Sequence, residues 1–126
     1  MSGQAVPIRE LVDGDTLLRA ILTARALANL PDAFLLRFDE KDTGLSVRFD
    51  CSHDECRAGF RATYGVVSLT VGCVQALDLR VIHDEPTHAN IKGLPYKEDD
   101  PDSAEWFAGR LAECATIVDR ERRRRE

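Results

Sequence analysis

The segment GLSVRF (44–49) decides the predicted fold, because its apolar and polar residues alternate. One face of the strand would carry Leu45, Val47 and Phe49, and the other Ser46 and Arg48. This alternation is typical of an antiparallel sheet that packs one face on a core and turns the other to water. AFLLRF (33–38) and the turn DEKDTG (39–44) come just before it, so the sequence predicts a β-hairpin.

The other predicted elements follow outward from this hairpin. Further strands are predicted at VVSLTV (66–71), LRVIHD (79–84) and HANIKGL (88–94), with a helical turn at GCVQALD (72–78). Helices are predicted at 16–30 after an Asp15 cap, at 53–64 after a Ser52–Glu55 capping box, and at 103–118 after an Asp102 cap. The order of elements favours the α+β class, with a single mainly antiparallel sheet of about five strands and about three helices, mostly packed on one face.

Charge divides the 126 residues into a body and a tail. We predict an irregular lead-in at 1–14, one α+β domain at 15–118 and an Arg-rich tail at 119–126. The formal net charge is −5, although the tail holds five arginines against three acids. An acidic body argues against nucleic-acid binding except through the tail. The predicted partner-binding residues are Arg120, Arg122, Arg123, Arg124 and Arg125, unless the tail only extends a solvated helix.

The chain begins without a signal-peptide pattern and holds no apolar stretch of membrane-spanning length. We therefore predict a cytoplasmic protein whose four cysteines are reduced and which has no membrane contact. Cys51, His53 and Cys56 lie close enough in sequence to suggest zinc, with a fourth ligand from Cys73, His83, His88 or Cys114. Their spacing is not that of a zinc site, and the capping box explains the segment, so no metal is predicted.

Alternation also gathers polar side chains on the exposed face of the predicted sheet. Arginine, lysine and hydroxyl groups that converge on one surface are suited to bind an anion such as phosphate. The anion-binding candidates are Arg37, Arg48, His88, Asn90 and Lys92. The alternative is that this is simply the wet face of the sheet, with His88 solvated, and we favour that interpretation because alternation arises without any ligand.

Several short motifs resemble a group of small bacterial proteins that have no settled activity. They are Leu18-Arg19, Ala33-Phe34, Gly44–Val47 (GLSV), Thr70–Gly72 leading into Leu77–Val81, and His88-Ala89 with Ile91. The resemblance spans most of residues 18–118. It suggests a role in bacterial conflict, defence or toxin–antitoxin systems.

The layout also resembles that of small ADP-ribosyltransferase-like domains. That resemblance would place Arg19 on the phosphate of NAD and Ser46 on the nicotinamide ribose, with His88 completing the catalytic site. The predicted helix at 16–30 opposes it, because Arg19 would then not lie on a strand.

Two functions from different classes therefore remain. The first is a small non-enzymatic interaction module, an accessory or regulatory subunit of a bacterial multi-protein system, which binds another protein and needs no cofactor. The alternative is an ADP-ribosyltransferase-like or other NAD- or nucleotide-using enzyme that works through Arg19, Ser46 and His88. The first is favoured because the sequence shows no nucleophile or metal motif.

Overall fold

The structure is a computed structural model that describes residues 10–124. The strands of its main sheet are β1 (Thr16–Ile21), β2 (Leu45–Arg48), β4 (Gly65–Thr70), β5 (Arg80–Glu85), β6 (His88–Lys92) and β7 (Thr116–Asp119). They lie in the order β5-β6-β2-β1-β4-β7, and every neighbouring pair is antiparallel. A second sheet pairs β3 (Ala62–Thr63) with β8 (Arg123–Arg124). The predicted α+β class is confirmed.

Four α-helices and two short 3₁₀ helices connect these strands in the described part of the chain. They are α1 (Ala24–Ala28), α2 (His53–Arg57), α3 (Val71–Gln75), α4 (Pro101–Cys114), and the 3₁₀ helices Leu30–Phe34 and Phe38–Glu40. The predicted capping box at α2 is confirmed: Ser52 accepts from the Glu55 N–H, and Glu55 accepts from the Ser52 N–H. The helical turn predicted after β4 is α3.

The core lies between one face of the sheet and the layer formed by α4 and the first 3₁₀ helix. Leu45 and Val47 of β2 face this core, as their alternation predicts. A smaller cluster lies on the other face of the sheet, where Cys56 of α2 packs on Leu18, Ala20 and Val66. Among the described elements, α2 covers the part of this second face that β1 and β4 form.

The helix predicted at 16–30 is wrong over its first half, which is β1. Leu17 and Ile21 are four residues apart, a spacing that places two side chains on one face of a helix and also on one face of a strand. Both are fully buried against the core, and all six residues of β1 pair with β4. The helix begins later, where the Thr23 side chain accepts from the Ala26 N–H and replaces the predicted Asp15 cap.

The strand predicted at 33–38 is also wrong, and with it the first hairpin. Leu30 instead begins a 3₁₀ helix, with Pro31 in its first turn, that buries Phe34, and β2 pairs with β1 and β6. The helix predicted at 53–64 ends at Arg57, before Gly59 with its positive φ of 91°. The last helix is capped by Asp100 rather than Asp102 and ends at Cys114, so Val118 belongs to β7.

Cys73 and Cys114 form a disulfide that ties α3 to the end of α4. The expectation that all four cysteines are reduced is therefore wrong for this pair, while Cys51 and Cys56 are free thiols. Among residues 10–124, no helix has both the length and the apolar character needed to cross a membrane.

Candidate active site

The pairing of β2 with β6 brings the polar side chains of the sheet together. Ser46 lies opposite Asn90 and Arg48 lies opposite His88, so all four share the face that turns away from the main core. Lys92 follows on the same face of β6, opposite Arg80 of β5. The alternation seen in the sequence thus corresponds to a real surface.

Three of the side chains on this face form a chain of hydrogen bonds. Ser46 Oγ lies 2.6 Å from His88 Nε2, and His88 Nδ1 lies 2.6 Å from Asp84 Oδ1. An ionised carboxylate can only accept, so His88 Nδ1 carries the proton that it donates to Asp84. In a neutral imidazole the Nε2 atom is then free to accept from the Ser46 hydroxyl. This is the arrangement of an activated serine nucleophile.

The aspartate of this chain comes from the edge strand β5. The register between β5 and β6 shifts between His83 and Glu85, which places Asp84 beside the His88 ring. Asn90 Nδ2 donates to the second oxygen, Asp84 Oδ2, over 3.0 Å. Partial burial raises the pKa of Asp84, but the hydrogen bonds and charge of His88 and the Asn90 amide outweigh it. The pKa lies below its ordinary value, and the carboxylate stays ionised.

The backbone of Ser46 is held by a separate, buried ion pair. Arg19 Nη1 donates to Glu40 Oε2 over 2.8 Å, and Arg19 Nη2 donates to Glu40 Oε1 over 3.1 Å. The Ser46 N–H donates to Glu40, and the Ser46 carbonyl accepts from Arg19. We call Arg19 and Glu40, with these two bonds, the backbone clamp.

The clamp fills an opening in the sheet. β1 and β2 share one paired position, Leu18 with Arg48, and continued pairing would bring Ala20 opposite Ser46. Arg19 and Glu40 occupy that place and satisfy both backbone groups of Ser46. Burial raises the pKa of Glu40, but Arg19 and the N–H groups of Arg37 and Ser46 outweigh it and bring it below its ordinary value.

Two clefts flank Ser46. The first, here called the cationic cleft, has a volume of about 230 Å³ and is lined by residues that include Leu18, Arg19, Arg37, Ser46, Arg48 and Phe60. The second, here called the histidine cleft, has a volume of about 270 Å³ and is lined by Arg37, Asp39, Glu40, Thr43, Ser46, Asp84, His88 and Asn90. Ser46 and Arg37 line both clefts, so the two clefts adjoin at these residues.

The structure brings some predicted site residues together and separates others. Ser46 and His88 are in direct contact, whereas the Arg19 guanidinium is taken up by Glu40 and by the carbonyls of Ala33 and Ser46. Arg37 lies 3.2 Å from Glu40 and stacks over Phe60. The side chains of Arg48 and Lys92 make no hydrogen bond or ion pair with any other described residue, although the backbone of each is paired within the sheet.

The predicted partner-binding arginines belong to the C-terminal segment. Within that segment β8 pairs with β3 and so holds it against the body. Arg123 bonds to Asp54 and Glu121, and Arg122 stacks over the Tyr64 ring. Arg120 and Arg124 are exposed. Arg125 lies outside the described residues.

The cysteines do not assemble a zinc site. Cys73 and Cys114 are bonded to each other, and burial raises the pKa of Cys56 to about 12, so its thiol stays protonated. Within residues 10–124, Asp84, Glu85 and His88 form the one group of three side chains with ligand atoms within 4.8 Å of one another. His88 and Asp84 already bond to each other there.

No family model, curated protein or solved structure matches the chain.

Proposed function

We propose that the protein is an acyl-transferring hydrolase in which Ser46 is the nucleophile, His88 the general base and Asp84 the group that orients His88. The observation that carries this proposal is the unbroken Ser46–His88–Asp84 hydrogen-bond chain on an open face. Each of its distances lies in the range that a nucleophile and its base require.

The proposed reaction moves one proton at each step. The Ser46 hydroxyl passes its proton to His88 Nε2 as Oγ bonds to the acyl carbon, and the imidazolium is stabilised by Asp84. His88 then gives that proton to the departing alcohol or amine as its bond to the acyl carbon breaks. Water next attacks the acyl group on Ser46, with His88 again taking the proton and returning it to the serine oxygen.

We assign to Arg37 the stabilisation of the negative charge that develops on the acyl oxygen. It lines both clefts together with Ser46, and it carries a fixed positive charge. A preorganised cation that faces a developing oxyanion is commonly a large contribution to catalysis. The Ser46 N–H is not available for this task because it donates to Glu40.

The alternative NAD-using enzyme shares Ser46 and His88 with this proposal but differs at Arg19. Contact with an NAD phosphate would require Arg19 to leave Glu40, and this buried carboxylate would lose its buried cation and keep only the more exposed Arg37 among the described cations. Breaking a buried pair costs about 3–5 kcal/mol. Acyl transfer needs no such rearrangement, which is why we favour it.

A fluorophosphonate probe tests the proposal, because it reacts with serines that a base activates. We expect mass spectrometry to locate the label on Ser46, with labelling at least about 100-fold slower in His88→Ala. Ser68→Ala is the matched control, since Ser68 is a half-buried serine in β4 that bonds only weakly to the Thr116 carbonyl. An unlabelled Ser46, or equal labelling rates in wild type and His88→Ala, would contradict the proposal.

A second candidate is the interaction module, which one observation favours. Arg120, Arg122 and Arg124 are exposed on a tail that β8 holds against the body. We propose an acidic protein surface as its partner, since opposite charges steer association. Charge reversal of Arg122 and Arg124 should weaken capture of such a partner and reduce the dependence of binding on salt. Undiminished binding would show that the tail does not contribute to the interface.

We also retain the cytoplasm as a proposed location, although the disulfide argues against it. Disulfides are rare in reducing compartments. Alkylation with a mass-tagged maleimide in denaturant, after an acid quench at the moment of lysis, gives the test, because unfolding exposes the buried Cys56 thiol to the reagent. Four tagged cysteines support a reducing compartment, and two tagged cysteines, Cys51 and Cys56, support an oxidising one.

A further inference from the structure

The two clefts beside Ser46 have opposite charge, although they share two of their lining residues. Among the described residues, the charged side chains that line the cationic cleft are Arg19, Arg37 and Arg48, and none is a carboxylate. Those that line the histidine cleft within residues 10–124 are one arginine, Arg37, and three carboxylates, which belong to Asp39, Glu40 and Asp84. A substrate that spans Ser46 therefore meets a positive potential on one side and a negative potential on the other.

The backbone clamp produces part of this difference. Arg19 lines the cationic cleft and its partner Glu40 lines the histidine cleft. The positive end of the ion pair therefore lies at the cationic cleft and its negative end at the histidine cleft. Arg37 is partly neutralised by Glu40 and Asp39. Arg48 is different, because it makes no ion pair with any described residue and is half-buried on the sheet.

The other walls of the cationic cleft are apolar. Leu18, Ala20 and Phe60 contribute hydrocarbon surface, and the Cys56 thiol stays neutral. A cavity with apolar walls and a small number of fixed charges binds a compact apolar group that ends in the opposite charge. The volume of about 230 Å³ limits that group to a few carbon atoms and one anionic end.

The direction of catalysis decides which part of the substrate enters this cleft. His88 must protonate the leaving group, so the leaving group belongs in the histidine cleft and the acyl group in the opposite one. We infer that the substrates are esters or amides of short acids with a second, anionic terminus, which Arg48 binds in the cationic cleft. This inference rests on the proposed hydrolase function.

Two matched esters of 4-nitrophenol test the inference. The hydrogen fumarate ester has a carboxylate at the far end of its acyl group, and the fumaramate ester has a neutral amide of the same shape. The trans double bond prevents the carboxylate from attacking its own ester. We expect kcat/KM to be about 10- to 100-fold higher for the carboxylate, as one charge-assisted contact allows.

Arg48→Met should remove this preference, so that kcat/KM for the hydrogen fumarate ester falls about 10- to 100-fold relative to that for the fumaramate ester. Arg80→Met is the control, because Arg80 is an exposed cation on the same sheet that lines neither cleft. Equal rates for both esters in wild type, or a preference that survives Arg48→Met, would overturn the inference and leave Ser46-dependent hydrolysis standing.

A binding measurement separates failure of this inference from failure of the proposed hydrolase. Calorimetry measures the affinity of Ser46→Ala for fumarate and for fumaramide, without any reaction. Tighter binding of fumarate that Arg48→Met abolishes supports the anion site even if neither ester is hydrolysed. Equal binding of the two compounds overturns it, whatever the fate of the esters.

Discussion

Ser46 belongs to two hydrogen-bond networks that differ in exposure. Its backbone is bonded to the clamp, where the side chains of Arg19 and Glu40 are 5% and 4% exposed. Its hydroxyl is bonded to His88 and, through it, to Asp84, whose side chains are 16% and 41% exposed. The comparison shows that the strand position is fixed by groups away from water, while the reactive atom is held by groups that a substrate can reach.

The two networks should therefore contribute differently to stability. A buried charge that loses its partner keeps the full cost of its desolvation, whereas an exposed charge is resolvated by water. Substitutions in the clamp should therefore lower the free energy of unfolding, whereas substitutions in the Ser46–His88–Asp84 chain should lower activity.

The largest effect on stability is expected from Glu40→Gln, which leaves the Arg19 guanidinium buried without a charged partner. We expect the free energy of unfolding to fall by about 3–5 kcal/mol in urea titrations. The control is Asp32→Asn, which breaks an ion pair with Arg25, a side chain that is 81% exposed. That change should cost less than about 1 kcal/mol. Similar losses of unfolding free energy in Glu40→Gln and Asp32→Asn would contradict the larger contribution that we expect from the buried pair.

A smaller loss of stability is expected at acid pH, and its direction follows from the lowered pKa of Glu40. The folded state lowers the pKa of this carboxyl below its ordinary value of 4.5, so the unfolded chain takes up a proton first. The stability that it contributes is complete above the unfolded pKa and is lost as the pH falls through the lower, folded pKa.

Urea titrations from pH 7 to pH 3 measure this loss. The difference in unfolding free energy between wild type and Glu40→Gln should shrink below about pH 4.5. Other carboxyls with lowered pKa, such as Asp84 and Asp119, contribute equally to both proteins and cancel in the difference. Parallel curves over the whole range would show that Glu40 is not the acid-sensitive group.

The smallest effect on stability is expected from Asp84→Asn, although its effect on activity is large. The free energy of unfolding should change by less than about 1 kcal/mol, because Asp84 is exposed. The rate of probe labelling at Ser46 should fall about 10²- to 10⁴-fold, since His88 loses its orienting carboxylate. Glu85→Gln, the neighbouring acid, should leave that rate unchanged, and an equal fall in both variants would exclude a specific role for Asp84.

The sequence predicted those strands whose alternation or β-branched composition is unambiguous, and it failed where one spacing fits two structures. β2, β4, β5 and β6 were all found from such patterns. β1 was predicted as a helix because its buried residues Leu17 and Ile21 satisfy both periods. The sequence does not reveal that Arg19, which lies between them, is buried as well. A buried arginine can be recognised only when its partner Glu40 is known to lie beside it.

The candidate site was predicted only in part for a similar physical reason. Ser46 and His88 stood out because each lies on the polar face of an alternating strand. Asp84 was missed because the shift in register that directs it toward His88 depends on pairing between strands, which no local pattern encodes. Glu40 lay in a stretch predicted as a solvated turn, and its burial follows from the opening between β1 and β2.

Because of the clamp, hydrogen exchange at two neighbouring amides of β2 reports two different motions. The Ser46 N–H is bonded to a side chain, Glu40, so rotation of that side chain is enough to expose it. The Val47 N–H points to the other side of the strand, toward β6, and is exposed only when the ladder between the strands opens. Exchange at Ser46 therefore reports the fluctuations of one ion pair, while exchange one residue later reports those of the sheet.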